Sequence, residues 1–277
     1  MSSGGSDHWK GFARQWSLLG PPLRPSPADV DLARDAIRGW IRASGRAQPT
    51  LLVLGVTAEL CALAAGEGCR VVAVDRSRDI IGALWRPPSR TGSGVVCADW
   101  CHMPLATDSV DLVLGDGSFT LLDVPVGYPA LCAELQRVVR ARGACILRCF
   151  VQADVRESVL DVFAELERGR IKNYHALRFR LAMALQTDAR SGVALGAVYD
   201  ALSVAWPDLD ALADRFGWSR EQVHLVDGYR ESEVRYSFPT LGEYEALFRE
   251  SGFELTRSAT ADYELGERFP TLVLERR

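Results

Sequence analysis

The chain has 277 residues, 48% of them hydrophobic and 25% charged, with a formal net charge of -4 and both signs interspersed. This is ordinary globular composition, and it argues against a nucleic-acid-binding stripe or a polybasic membrane patch, leaving a small or peptide-sized substrate as the expected partner. The stretch MSSGGSDHWKGFARQW has no apolar core behind a basic leader, and no apolar run approaches a bilayer span, so a soluble, cytoplasmic protein is expected.

Before residue 50 the pattern is aromatic, then proline-rich (PPLRPSP), then helical over ADVDLARDAIRGWIRASG, with Asp29 as the expected cap and Gly45 as the stop. From 50 to 150 the apolar runs TLLVLG, RVVAVD, GVVCAD, VDLVLGDG and GACILRCFV alternate with the predicted helices AELCALAAG, RDIIGALW and YPALCAELQRVV. That alternation predicts βαβ units on a parallel sheet buried on both faces, with ligands beyond the carboxyl ends of the strands. Helical patterns follow to about residue 245, including DVRESVLDVFAELERG and an amphipathic helix in NYHALRFRLAMALQ, and two strands, FELTRSAT and PTLVLERR, close the chain. The reading is one domain: a cap over 1–49, a cofactor-binding core over 50–150, a helical lid over 151–245 and a terminal strand hairpin over 246–277. The seven scattered cysteines contain no Cys-x-x-Cys pair and read as reduced and mostly buried; CADWCHM lacks a second ligand pair, so no metal is expected. Nothing in the sequence fixes an oligomeric state, a homodimer included.

Gly55 ends the first strand and Thr57 stands where it would cap the next helix, aiming free N–H groups at a ligand. Asp75 ends the second strand, and 75 − 55 gives the spacing of 20 at which a carboxylate accepts from ribose hydroxyls. The third strand ends at Asp99 and Trp100, a carboxylate for an adenine amino group beside a ring that packs on the base. The fourth strand ends at Asp116.

This succession resembles the class I S-adenosylmethionine-dependent methyltransferases. The resemblance rests on LLVLGVTAE, VVAVD, CADWCHMPLATDSVDLVLGDGSF and LQRVVRARGACILRCF, and resumes at 252–277. It implies a Rossmann-like α/β fold, a mostly parallel seven-stranded sheet of order 3-2-1-4-5-7-6 with helices on both faces, and S-adenosyl-L-methionine as cofactor. The family's glycine loop carries an acidic residue two before its first glycine and further glycines after it; here Val53, Thr57 and Glu59 stand in those places. Glu59 is then expected to meet the cofactor's ammonium, and Arg24 its carboxylate, within a cap that includes Trp9 and Trp16.

A sulfonium methyl is already electrophilic, so few catalytic groups are obligatory. Asp116 is a candidate to orient the acceptor amine or the cofactor, although Gly117 and Ser118 replace the prolines of the family's amino-methyltransferase motif and Phe119 reads as core. In the lid, His175 is the candidate general base and Tyr174 a ring to face the sulfonium. Tyr229, Arg230, Arg235 and Tyr236 suit an acidic small substrate or simple packing. The leading expectation is methyl transfer to O or N of a small molecule, in specialised metabolism. A cyclase or lyase consuming the same cofactor and a non-catalytic binding protein stay open as alternatives, and a nicotinamide dehydrogenase fits the glycine loop less well.

Overall fold

A computed structural model describes residues 18–88 and 92–277 of the chain. Trp9 and Trp16, expected in the cap, lie outside the described residues. Helix α1 (Pro27–Ser44) starts one turn earlier than its apolar pattern suggested. Ser26 is the N-cap and Pro27 follows it; Asp29 completes a capping box three residues in, correcting its expected role as the cap. Gly45 ends the helix as expected, at φ 67°, with its N–H on the Ile41 carbonyl.

The core then runs β1 (Thr50–Leu54), α2 (Ala58–Gly66), β2 (Arg70–Asp75), α3 (Arg78–Leu84), β3 (Gly94–Cys97), β4 (Val110–Asp116), α4 (Gly127–Val138) and β5 (Val139–Arg148). The lid helices are α5 (Val159–Glu167), α6 (Tyr174–Leu185), α7 (Leu195–Ala205), α8 (Leu209–Phe216) and α9 (Arg220–Val223). After them come α10 (Leu241–Glu250), β6 (Phe253–Ala259) and β7 (Thr271–Arg276). The order across the main sheet is β3-β2-β1-β4-β5-β7-β6, parallel except for β7, which runs antiparallel to both of its neighbours. A separate two-residue ribbon pairs Val193–Ala194 with Arg235–Tyr236 in the lid.

Both faces of the sheet are covered, which is why the strands lack a polar alternation. Leu52, Leu54, Val113, Cys145 and Leu147 pack under α4 and α10, while Leu51, Val53, Leu112, Leu114 and Ile146 pack under α1 and α2. Each such burial stabilises by about 1.5–3 kcal/mol per large side chain. Tyr244 and Phe248 place α10 on the sheet, so the lid ends near residue 240 rather than 245. Gln152 bonds to Pro239, so the lid leaves the sheet and returns to it at adjacent points.

The lid has its own core, shared with Leu19, Phe150 and Phe269 at the end of the sheet. Helix α6 runs through that core with Tyr174, His175, Leu177, Arg178, Phe179, Leu181 and Ala182 all buried. It is therefore a central helix and not the amphipathic one expected. No helix among the described residues is long and apolar enough to cross a membrane.

Candidate functional site

The parallel strands end together at one edge, and the chain reverses direction across the sheet between β1 and β4, the place where open α/β sheets hold ligands. At β1, Gly55 has φ 93°, a conformation that favours glycine. A Cβ there would stand 3.7 Å from the Trp100 ring and 3.8 Å from Asp75 Oδ2, so the ends of three strands converge on this backbone. Gly55 N–H and Trp100 Nε1–H both donate to the Val74 carbonyl, at 2.7 and 2.6 Å, which fixes the indole beside the crevice.

Asp75 Oδ1 accepts from Ser77 N–H at 2.8 Å, and burial raises the carboxyl's pKa against that hydrogen bond. Asp99 is exposed and accepts from Cys101 N–H through Oδ1 at 2.8 Å. Thr57 occupies the N-cap position of α2 but makes no side-chain cap, correcting that part of the expectation. The first-turn N–H groups of α2 therefore lack a side-chain cap at Thr57, and they suit an anionic ligand.

Arg24 and Glu59 were expected to meet the carboxylate and the ammonium at the cofactor's methionine end, yet they form an ion pair with each other through Arg24 Nε and Nη2. The pair ties the segment ahead of α1 to α2. Glu59 Oε2 remains buried without a hydrogen-bond partner among the described residues, so one acceptor of this carboxylate is still unfilled.

Asp116, at the end of β4, is held by Arg148 at the end of β5: Nε to Oδ1 is 2.6 Å, and the two side chains are 4% and 8% exposed. The same guanidinium donates to Tyr263 Oη and to the Pro22 carbonyl, stands 3.9 Å from Asp29, and lies over the rings of Phe150 and Phe269. Burial pushes the Asp116 carboxyl up; Arg148 opposes this, while Asp29 and Glu59 reinforce it. Asp116 is thus a member of a buried charge network and not a free group for an acceptor amine. Gly117, at φ 60°, lets the chain turn against Phe150, whose ring would be 2.6 Å from a Cβ there. Phe119 is core, packed edge-on against Tyr128, Tyr244 and Phe248.

The two lid candidates lie in the lid core. Tyr174 donates its hydroxyl to the Val223 carbonyl. His175 is 2% exposed, with Nε2 at 3.2 Å from the Leu18 carbonyl and Nδ1 at 2.9 Å from Arg178 Nη2. Burial and the Arg178 charge hold its pKa down at about 3. Both ring nitrogens are engaged, an arrangement that does not suit the expected general base. Arg148 was missed by sequence reasoning; its signal was a cation ending an otherwise apolar strand. No group of three metal-ligating side chains occurs among the described residues, and none of the seven cysteines forms a disulfide there.

Residues 52–147, from β1 to β5, match the sequence model of a methyltransferase domain. No curated protein sequence matches the chain. Solved structures with the same fold include a Rhodobacter sphaeroides protein described as a provisional zinc-dependent alcohol dehydrogenase, with 15% identity, TM-score 0.63 and full coverage of both chains. A S-adenosylmethionine-dependent methyltransferase from Methanosarcina mazei has 14% identity and TM-score 0.53 over 92% of this chain and 99% of its own. The magnesium protoporphyrin IX methyltransferase of Synechocystis, solved with S-adenosylhomocysteine bound, has 12% identity and TM-score 0.52 over 99% and 98%. At these identities the structures establish the fold, and the domain match places residues 52–147 with methyltransferase domains. The convergence of Gly55, Asp75 and Trp100 and the unfilled acceptor on Glu59 fit a nucleoside bearing an ammonium group. Residues 52–147 thus match a methyltransferase domain, set in a fold that the whole chain shares with S-adenosylmethionine-dependent methyltransferases.

Proposed function

We propose that the enzyme methylates an oxygen or nitrogen of a small-molecule acceptor enclosed between the sheet edge and the lid. The observation that carries this reading is the roof over β4 and β5. The segment ahead of α1 bonds to Arg148 through Pro22, to α2 through Arg24 and to α6 through Leu18 and Pro21. A roof fastened at four places suits a compact acceptor better than a polymer lying across an open face.

In this reading Asp75 accepts from the ribose hydroxyls, Asp99 accepts from the adenine amino group, and Trp100 flanks the base. The α2 N-terminus, Gly55 and Thr57 line the cofactor's path, and Glu59 Oε2 accepts from its ammonium. Arg24 positions Glu59, and the Arg148–Asp116 pair shapes the floor beneath the methyl group. When bound, S-adenosyl-L-methionine supplies an electrophilic methyl, and this chain's residues orient the acceptor and exclude water.

The test is direct. S-adenosylhomocysteine should raise the melting temperature where NAD does not, because a ligand selective for the native state stabilises it by mass action. With S-adenosylmethionine and a mixture of small hydroxylated and amino acceptors, S-adenosylhomocysteine should accumulate. Methylthioadenosine formed without any acceptor would instead mark a cyclase or lyase.

A further inference from the structure

Helix α6 carries a buried cation that no carboxylate among the described residues pairs with. Arg178 is 3% exposed, and its Nε and Nη1 are buried with no hydrogen-bond partner among the described residues. The third nitrogen, Nη2, donates to His175 Nδ1 at 2.9 Å. That direction follows from the other side of the ring, where Nε2 faces the Leu18 carbonyl and must carry the proton, so the imidazole is neutral and supplies no counter-charge. The guanidinium carbon lies 5.4 Å from the ring centre of Tyr174 and 5.2 Å from that of Tyr229. Tyrosine faces attract a cation, but they do not replace the anion and water lost on burial. No ion pair joins Arg178 to a carboxylate among the described residues, whereas Arg148, equally buried in the same molecule, has Asp116.

The position is as informative as the missing partner. Segment 18–22 gives its Leu18 carbonyl to His175 and its Pro22 carbonyl to Arg148, so one short strap spans the Arg178 cluster and the floor under the methyl group. Phe179, the next residue on α6, packs against Phe150 and Phe269, the two rings beneath Arg148. A molecule between lid and sheet edge would therefore lie within a few side chains of Arg178.

We infer that Arg178 recognises a carboxylate on the acceptor, its open N–H groups binding the oxygens while Tyr174 and Tyr229 line the adjoining apolar part. This rests on the small-molecule methyltransferase reading above. A single carboxylate suits the site because one guanidinium neutralises one negative charge, whereas a dianion would leave net negative charge buried. The planar fork of N–H donors matches carboxylate geometry. The stretch DGYRESEVRYSFPT enters the same cluster: Tyr229 contacts the guanidinium, and Tyr236, buried, is hydrogen-bonded to Tyr229.

The full-length protein saturated with S-adenosylhomocysteine is titrated calorimetrically with acetate, benzoate and 3-phenylpropanoate, each beside its primary amide. At least one acid should bind about tenfold or more tightly than its amide, since a site built around a charged hydrogen bond rejects the analogue that lacks it. Arg178→Gln should bring that ratio close to one while keeping S-adenosylhomocysteine affinity within about twofold. Arg178→Lys, which keeps the charge and protects the comparison if the glutamine variant does not fold, should retain part of the preference. The proposal is overturned if none of the three acids is preferred by the wild-type protein, or if Arg178→Gln keeps the preference. Failure of the methyltransferase reading looks different: the wild-type protein would then not bind S-adenosylhomocysteine at all.

Discussion

At the ends of β1, β2 and β3 the polar side chains have bonding capacity left over, whereas at the ends of β4 and β5 they are fastened to one another. Asp99 is exposed, and Asp75 uses one named oxygen on Ser77. Across the sheet, Asp116 and Arg148 are buried together, with Tyr263, Pro22 and Asp29 around the guanidinium. The first half is arranged as a binding surface and the second as a structural keystone. Substitutions in the first should change affinity with little effect on folding, and substitutions in the second should do the reverse.

The largest effect is expected at Arg148. Arg148→Met removes the cation from a buried pair and leaves Asp116 uncompensated, a change that costs about 3–5 kcal/mol of unfolding free energy. Urea denaturation measures it. The double variant Arg148→Met, Asp116→Leu should recover most of the loss, because an apolar pair of similar volume no longer strands a charge. A single variant that loses less than about 1 kcal/mol would fall in the range of exposed pairs and remove the distinction between the two halves.

Next comes His175, which belongs to the buried side. Its pKa is about 3 in the folded protein, while an unfolded histidine titrates near 6.5. Between these values the unfolded chain binds the extra proton, so stability is complete above about pH 6.5 and falls as the pH drops. The slope from this group is about 1.4 kcal/mol per pH unit. Subtracting the denaturation free energies of His175→Gln from those of the wild type at each pH should give a flat difference above 6.5 and a slope below it. A kcat/KM inflection near neutral pH that vanishes in this variant would instead restore His175 as a base.

On the open side, Asp75→Ala should weaken S-adenosylhomocysteine binding by about tenfold to a hundredfold, the range for hydrogen bonds to a charged group. Unfolding free energy should change little, since the lost internal contact is one bond to Ser77 N–H. Calorimetry and denaturation on the same preparation separate the two readouts. If the folding loss matched that of Arg148→Met, Asp75 would belong with the keystone.

The contrast also explains what the sequence disclosed. Gly55, Asp75, Asp99 and Trp100 stand at the ends of short apolar runs, and parallel strands deliver such positions to one edge by topology alone. The sheet order and the terminal hairpin follow from the same pattern. The charge pairs were hidden for a different reason: Arg24 and Glu59 are separated by 35 residues, and Asp116 and Arg148 by 32, so no local spacing reveals them. Arg178 was hidden by its own helix. In ALRFRLAM, Arg178 and Arg180 stand two residues apart and face different sides of the helix: Arg180 reaches Glu157 at the rim while Arg178 turns inward. Which of the two is buried is decided only when α5, α7 and the 225–236 stretch pack around the helix.

The smallest expected effect is at Asp99, and it is also the most specific. Its exposed carboxylate competes with water, so Asp99→Asn should reduce S-adenosylhomocysteine affinity by only about fivefold, near 1 kcal/mol. The Cys101 N–H keeps an acceptor in the asparagine, so the loop itself is preserved. The informative ligand is S-inosylhomocysteine, in which a ring oxo group accepts where the adenine amino group donates. Wild-type protein should disfavour it, because two acceptors would face each other. The asparagine can present its amide N–H instead, so the variant should lose most of that discrimination or reverse it. Equal discrimination in both proteins would detach Asp99 from the base and leave recognition to Trp100 and the backbone.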